Sequence, residues 1–225
     1  MARKPRSKKS NTSLSKKQQK EVRKIALKAI DDEVEDKRSV NIRENVQLFN
    51  NKPLYVSGWL SAIQQGEKDG TNNLNRDTRI GDRISLKNIN VRFWLSNKLD
   101  RPNVMYKGVL YWYPVGVTPA DAVVYFTQTN KMLDRYNDKQ ITIIDQFIVK
   151  SHEMYDNGTE KWEHSYLATL NKSYKSKKVE YATNSTTPGK MRLGFALVCY
   201  DAFGTAQTDN IASCAYNIQL TYQDA

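Results

Sequence analysis

The chain has 225 residues, of which 39% are apolar and 10% aromatic, and it carries a formal net charge of +11. That apolar content suits one large β domain or two small ones, and no run of 18 apolar residues offers a membrane-spanning helix. Residues 1–30 hold eleven basic side chains against one acid, Glu21, so +10 of the charge sits there and the rest of the chain is close to neutral. Charge gathered on one terminus points to a polyanion-binding arm on an ordinary folded body.

Residues 1–14 are basic, rich in Ser and Asn, and almost without apolar side chains, so they are expected to stay disordered until bound. Arg3, Lys4, Arg6, Lys8 and Lys9 form a cluster that also reads as a nuclear-import signal. Over 15–38 the composition becomes that of a helix. Ser15 and Gln18 are spaced as a capping box, and no Gly or Pro follows up to residue 38. Lys16, Lys17, Lys20, Arg23, Lys24 and Lys28 spread over one side of that helix, opposite Val22, Ile25, Ala26 and Ala29. Asp31, Asp32, Glu33, Glu35 and Asp36 then reverse the sign, an unfavourable end for a helix dipole.

From about residue 42 the pattern is β throughout, which gives an expected body of 39–225. Residues 83–95 alternate in two phases, Ile84 and Leu86 in one and Ile89 to Leu95 in the other. The slip at Lys87–Asn88 predicts a bulge. The segments 104–113, 141–150 and 191–200 are apolar on both faces and are expected between two layers. A short helix is expected within 121–137. Residues 160–171 and 173–182 read as two wetter strands, the first pairing with 141–150 across an Asp156-Asn157-Gly158 turn. The last strand is the clearest: Ala212, Cys214, Tyr216, Ile218, Leu220 and Tyr222 alternate with polar or small residues. About eight strands with long loops and no helical crossovers predict an all-β, eight-stranded antiparallel jelly-roll sandwich, preceded by the arm and helix.

Little catalytic chemistry is visible. There is no Gly-rich phosphate loop and no nucleophile elbow. His152 and His164 lack partners at metal-ligand spacing. Cys199 and Cys214 sit in apolar strand phase, as buried free thiols would. No enzyme activity, metal or cofactor is therefore expected. Thirteen tyrosines together with Trp59, Trp94, Trp112 and Trp162 could stack bases, but packing in the core and between subunits is the reading for the body. None of these aromatics lies in the arm, so its grip should be electrostatic and independent of base sequence.

Gln65-Gly66, a polar stretch, and Arg79-Ile80-Gly81-Asp82 lead into Ile84–Leu95. Together with the basic arm, the helix before the β domain and the ending Leu220–Ala225, this layout resembles the single jelly-roll capsid proteins of small icosahedral viruses. That family includes the circular Rep-encoding single-stranded DNA viruses and the satellite tobacco necrosis virus type. The resemblance implies that Arg79-Ile80-Gly81 precedes the first jelly-roll strand. It also implies a T=1 shell of about sixty copies with the arm facing a packaged single-stranded genome, DNA rather than RNA. The expected setting is a virion, with passage through the host nucleus and no membrane partner. Some family members bind calcium at subunit contacts. Asp224 matches one such position, whereas Ile80 and Arg83 stand at others and cannot ligate the ion, so Arg83 is expected to pair with Asp224 in its place. The alternatives are a satellite-type single-stranded RNA coat protein and a non-viral, monomeric nucleic-acid-binding module.

Overall fold

The computed structural model describes residues 14–33, 36–66, 78–98, 100–101, 103–150, 165–183, 185–203 and 205–224. They fall into two compact units, 1–35 and 36–225. In the first, helix α1 spans Lys16–Glu33. Its start is a reciprocal capping box: the Gln18 N–H donates to Ser15 Oγ (3.3 Å) and the Ser15 N–H to Gln18 Oε1 (3.0 Å), which satisfies two amides that have no partner within the helix. Its last turn contains no basic residue. The helix stops before the expected residue 38, because Lys37 already pairs with Tyr222 as the start of a strand.

The second unit holds eight strands: β1 Lys37–Phe49, β2 Leu54–Ser57, β3 Arg83–Asn97, β4 Met105–Pro114, β5 Thr142–Val149, β6 Ser165–Glu180, β7 Met191–Tyr200 and β8 Asn210–Asp224. They form two four-stranded antiparallel sheets, β1-β8-β3-β6 and β2-β7-β4-β5. The pairs β1/β8, β2/β7, β3/β6 and β4/β5 nest like one long hairpin wrapped on itself, which is the jelly roll. Between the sheets, Phe195 meets Phe93 edge-on at 5.0 Å and Tyr216 at 5.2 Å, among buried Ile84, Val91, Leu95, Leu197, Ile218 and Leu220. The alternation of β8 puts Cys214, Tyr216, Ile218, Leu220 and Tyr222 inward as expected, and the bulge lies between Leu86 and Asn88 in both pairings of β3. A one-turn helix, α2, occupies Asp121–Val124.

The outward faces of the two sheets differ. That of β4 and β7 is covered by the chain between β4 and β5: Val109, Tyr111, Tyr113 and Ala196 pack on Val124, Tyr125 and Ile141. Lys107 ties this cover down, donating to the carbonyls of Lys131 (3.3 Å), Met132 (3.3 Å) and Asp134. Burial of the ammonium pulls its pKa below the ordinary lysine value. After the β3 bulge, the outward face of β1-β8-β3-β6 shows five cross-strand rows instead: Arg38-Thr221-Asn88-Ser173, Val40-Gln219-Asn90-Asn171, Ile42-Asn217-Arg92-Thr169, Ala215-Trp94-Leu167, and Gln47-Ser213-Ser96-Ser165; before it stand Gln223-Ser85-Lys178 and Arg83-Glu180.

Four expectations need correction. First, Arg79-Ile80-Gly81 precedes β3 and not the first strand, since β1 and β2 come before it. The polar stretch 37–47 conceals β1, whose side chains are mostly exposed. Second, the segment 141–150 is not sandwiched between layers. As β5 it is an edge strand, with Ile143 and Ile148 exposed and Phe147 turned to the core. Third, the two strands expected over 160–171 and 173–182 are, among the described residues, one continuous strand, β6, over Ser165–Glu180. Fourth, β6 pairs with β3 in the sheet opposite β5, so the 141–150 hairpin does not form. The expected Asp156-Asn157-Gly158 turn lies outside the described residues. β5 and β6 do meet at the open side of the sandwich, where the Asn171 N–H donates to Asp145 Oδ2 at 2.7 Å.

Gly108 on β4 sits opposite Phe147 on β5, and a Cβ there would overlap the Phe147 ring. That ring packs against Phe93 at 5.5 Å and has little room to retreat. Gly108→Ala is therefore expected to destabilise the body by about 1–3 kcal/mol, read as a shift in denaturant midpoint at unchanged slope. A midpoint equal to that of the native chain would show the ring free to move.

Candidate nucleic-acid interface

The expected contact residues divide between two segments. Arg3, Lys4, Arg6, Lys8 and Lys9 lie outside the described residues. Lys16, Lys17, Lys20, Arg23 and Lys24 are exposed on α1, and Lys28 belongs to the same helix. Val22 and Ile25 on the apolar stripe are exposed as well. A capped helix holds its cations at one-turn spacing without folding cost at the moment of binding, and exposed ammonium groups spaced this way suit the phosphates of a flexible strand.

In the body, the segment that carries the family resemblance is a structural clasp. Arg79 is fully buried. Its guanidinium lies 4.0 Å above the Tyr181 ring and donates to the carbonyls of Gly81 and Ser185. Its own N–H donates to the Gln64 carbonyl (2.8 Å), and its carbonyl accepts from Gly66 (3.2 Å). Gly81 has φ of +84°, a left-handed conformation that glycine adopts without strain. Sequence reading marked these residues but gave no role to the arginine.

Asp224 does not pair with Arg83. Arg83 reaches Glu180 on the neighbouring strand, at 3.5 Å, because register sets Arg83 opposite Glu180 and Ile84 opposite Asp224. Asp224 instead takes the Lys37 ammonium on Oδ2 and the Ile80 N–H on Oδ1 (2.9 Å). Lys37 also donates to the Thr78 carbonyl at 2.9 Å. Both carboxylate oxygens are held by donors, one of them a full positive charge beside a carbonyl, so these residues do not fit a calcium ion. Among the described residues no cluster of three or more metal-ligating side chains occurs. Chelation with EDTA is expected to leave the melting temperature unchanged, whereas Lys37→Ala lowers stability by about 1–3 kcal/mol. A chelator-induced drop in melting temperature would contradict this arrangement.

Cys199 and Cys214 are free and buried. Burial pushes the Cys214 thiol up to about 12 and raises Cys199 further, so neither is a thiolate near neutral pH. Trp59 and Trp112 are buried in the core, as the packing reading expects. Trp162 and both histidines lie outside the described residues. Trp94 is not part of the core. It points outward from β3 and is 59% exposed, a placement legible in the alternation of Phe93, Trp94 and Leu95.

No family model matches the chain. No curated protein matches it either. Among solved structures it is similar to a chain described as "Crystal structure of the T13 IBDV viral particle reveals a missing link in icosahedral viruses evolution", at 9% identity and a TM-score of 0.30. The match covers 83% of this chain and 31% of that one, so this chain spans about a third of its length. The jelly roll itself rests on the strand order and register described above, not on this likeness.

Proposed function

We propose that this protein is a coat protein that assembles into a small icosahedral shell and packages single-stranded nucleic acid through its basic N-terminal segment. The observation that carries the reading is the segregation of charge: +10 within residues 1–30, on the Arg3–Lys9 cluster and a capped helix, joined to a nearly neutral jelly roll. A neutral body can pack against copies of itself without self-repulsion, while the arms concentrate cations where the strand is held. In this reading the shell is a T=1 assembly of about sixty copies, the strand is DNA, and the Arg3–Lys9 cluster also serves nuclear import before the protein enters the virion. Sixty arms would then supply roughly 600 positive charges, enough for on the order of 600 phosphates.

Size exclusion and electron microscopy of the purified protein test the reading. A megadalton particle holding nuclease-sensitive nucleic acid is expected, and selective DNase or RNase digestion types the strand. A 25.9 kDa monomer that binds oligonucleotides would point to a monomeric nucleic-acid-binding module instead.

A further inference from the structure

The outward face of β1-β8-β3-β6 leaves a large indole in water. Trp94 is 59% exposed, and its cross-strand neighbour Leu167 is 83% exposed. Ile42 and Val40 on the same face are more than half exposed. On the opposite sheet the outward face of β4 and β7 is covered by the chain between β4 and β5, and only the edge strand β5 leaves apolar side chains open there. A sheet face kept only for solubility would carry interspersed Lys and Glu. After the β3 bulge the five rows contain amides and hydroxyls, two arginines, no lysine and no carboxylate, whereas Lys178 and the Arg83–Glu180 pair lie before it. Glu44, at the β1 bulge, is the acid that borders it near Trp94. Depletion of charge around exposed aromatic and apolar groups marks a contact surface.

We infer that this face is a second contact for the single-stranded nucleic acid, with Trp94 as a platform for base stacking and Arg92 beside it for phosphate. The inference rests on the proposed packaging role and deepens it. Three features favour a nucleic-acid strand over other occupants. Arg38 and Arg92 face no carboxylate in register, and with Glu44 at the border the rows keep two arginines against one acid, a balance suited to phosphate. Asn and Gln side chains alternate donors and acceptors along the strands and can meet base edges however they are turned. The depression beside the indole, whose lining includes Ile42, Glu44, Arg92, Trp94 and Leu167, has a volume of about 170 Å³, below the roughly 300 Å³ of a small-molecule site. An indole flanked by arginine on an open sheet accepts any base by its π face and so needs no sequence. The division of labour follows: the arm supplies salt-sensitive attraction, and the sheet supplies stacking that salt hardly weakens.

The test titrates the full chain with a labelled oligothymidylate at low and high salt, comparing the native protein with Trp94→Ala, Trp94→Phe and the helix double variant Lys20→Ala/Lys24→Ala. Trp94→Ala is expected to weaken binding by about 5- to 150-fold at every salt concentration, with the salt slope unchanged. Trp94→Phe should recover most of that loss. The helix variant should flatten the salt slope by about 1.4. Unchanged affinity for Trp94→Ala overturns the inference, and so does a loss of assembly with oligonucleotide binding intact, which would make the face an interface between copies. If the helix variant leaves the slope unchanged, the packaging role of the arm fails, whatever Trp94 does. Photocrosslinking of a halogenated oligonucleotide to the native chain needs no variant. An adduct on Trp94 supports the inference, and adducts confined to residues 1–33 overturn it.

Discussion

Removal of residues 1–33 is expected to leave a folded, cooperatively melting body that has lost most of its affinity for single-stranded nucleic acid. The cut falls at the end of α1 and spares Lys37, whose ammonium holds Asp224 at the far end of the chain. The body is a separate compact unit with its core between its own sheets, so the melting temperature should hardly move. Binding should change greatly. About 0.7 counterions are released for each phosphate neutralised on a single strand. The net +10 of residues 1–30 then corresponds to a slope of log K on log salt near −7. Raising salt from about 50 to about 200 mM would weaken the intact chain by roughly 10⁴-fold. The truncated chain should bind weakly and with a much shallower slope, because its 24 basic side chains are largely offset by 20 acids. Particles assembled from it should contain little nucleic acid, measured as the ratio of absorbance at 260 and 280 nm. Particles with the native content would place the genome contact in the body and defeat the assignment to the arm.

What could be read in the sequence was local. The capping box depends on two residues three apart, and both of its hydrogen bonds form. The alternation in β8 and the phase slip in β3 fix which side chains face inward, because side-chain direction repeats every two residues. Partner choice was not legible. Strong turn residues at 156–158 pointed to a hairpin between neighbours in the chain, but the jelly roll sends β5 and β6 to opposite sheets. An apolar run shows that a strand can be buried on both faces, not that it is, and β5 lies at an edge where one face stays open. The arginine expected on Asp224 was chosen by nearness to a motif. Register gave that carboxylate to Lys37, which a sequence separation of 187 residues hides. On α1 the placement of the cations follows from helical spacing alone, whereas the open face around Trp94 is assembled from four strands that only the topology brings together.

Arg79→Ala should destabilise the body more than any other single change considered. The side chain is completely buried and joins three segments far apart in sequence. Its backbone is bonded to Gln64 and Gly66, its guanidinium to the carbonyls of Gly81 and Ser185, and its flat face to the Tyr181 ring at 4.0 Å. Asp82, 3.6 Å away, balances the charge. Tyr181 in turn donates its N–H to the Asp82 carbonyl (2.8 Å) and its hydroxyl to the Leu60 carbonyl (3.0 Å), which carries the clasp down to the core. Truncation removes the stacking area, leaves a void and strands two carbonyls without donors. Truncating a large, fully buried side chain costs about 3–5 kcal/mol, a large share of the roughly 5–15 kcal/mol that holds a domain together. At about 2–4 °C per kcal/mol for a domain of this size, the melting temperature should fall by roughly 6–20 °C. Arg79→Lys should not rescue it, because an ammonium cannot span both carbonyls or lie flat on the tyrosine. Asp82→Asn should cost less, since it removes only the counter-charge and leaves the guanidinium its two carbonyls and the Tyr181 ring. Calorimetry on the three variants orders them. Equal melting temperatures for Arg79→Ala and Asp82→Asn would mean that the arginine serves only to balance the aspartate, and that the segments around β3 are held by their backbone bonds alone.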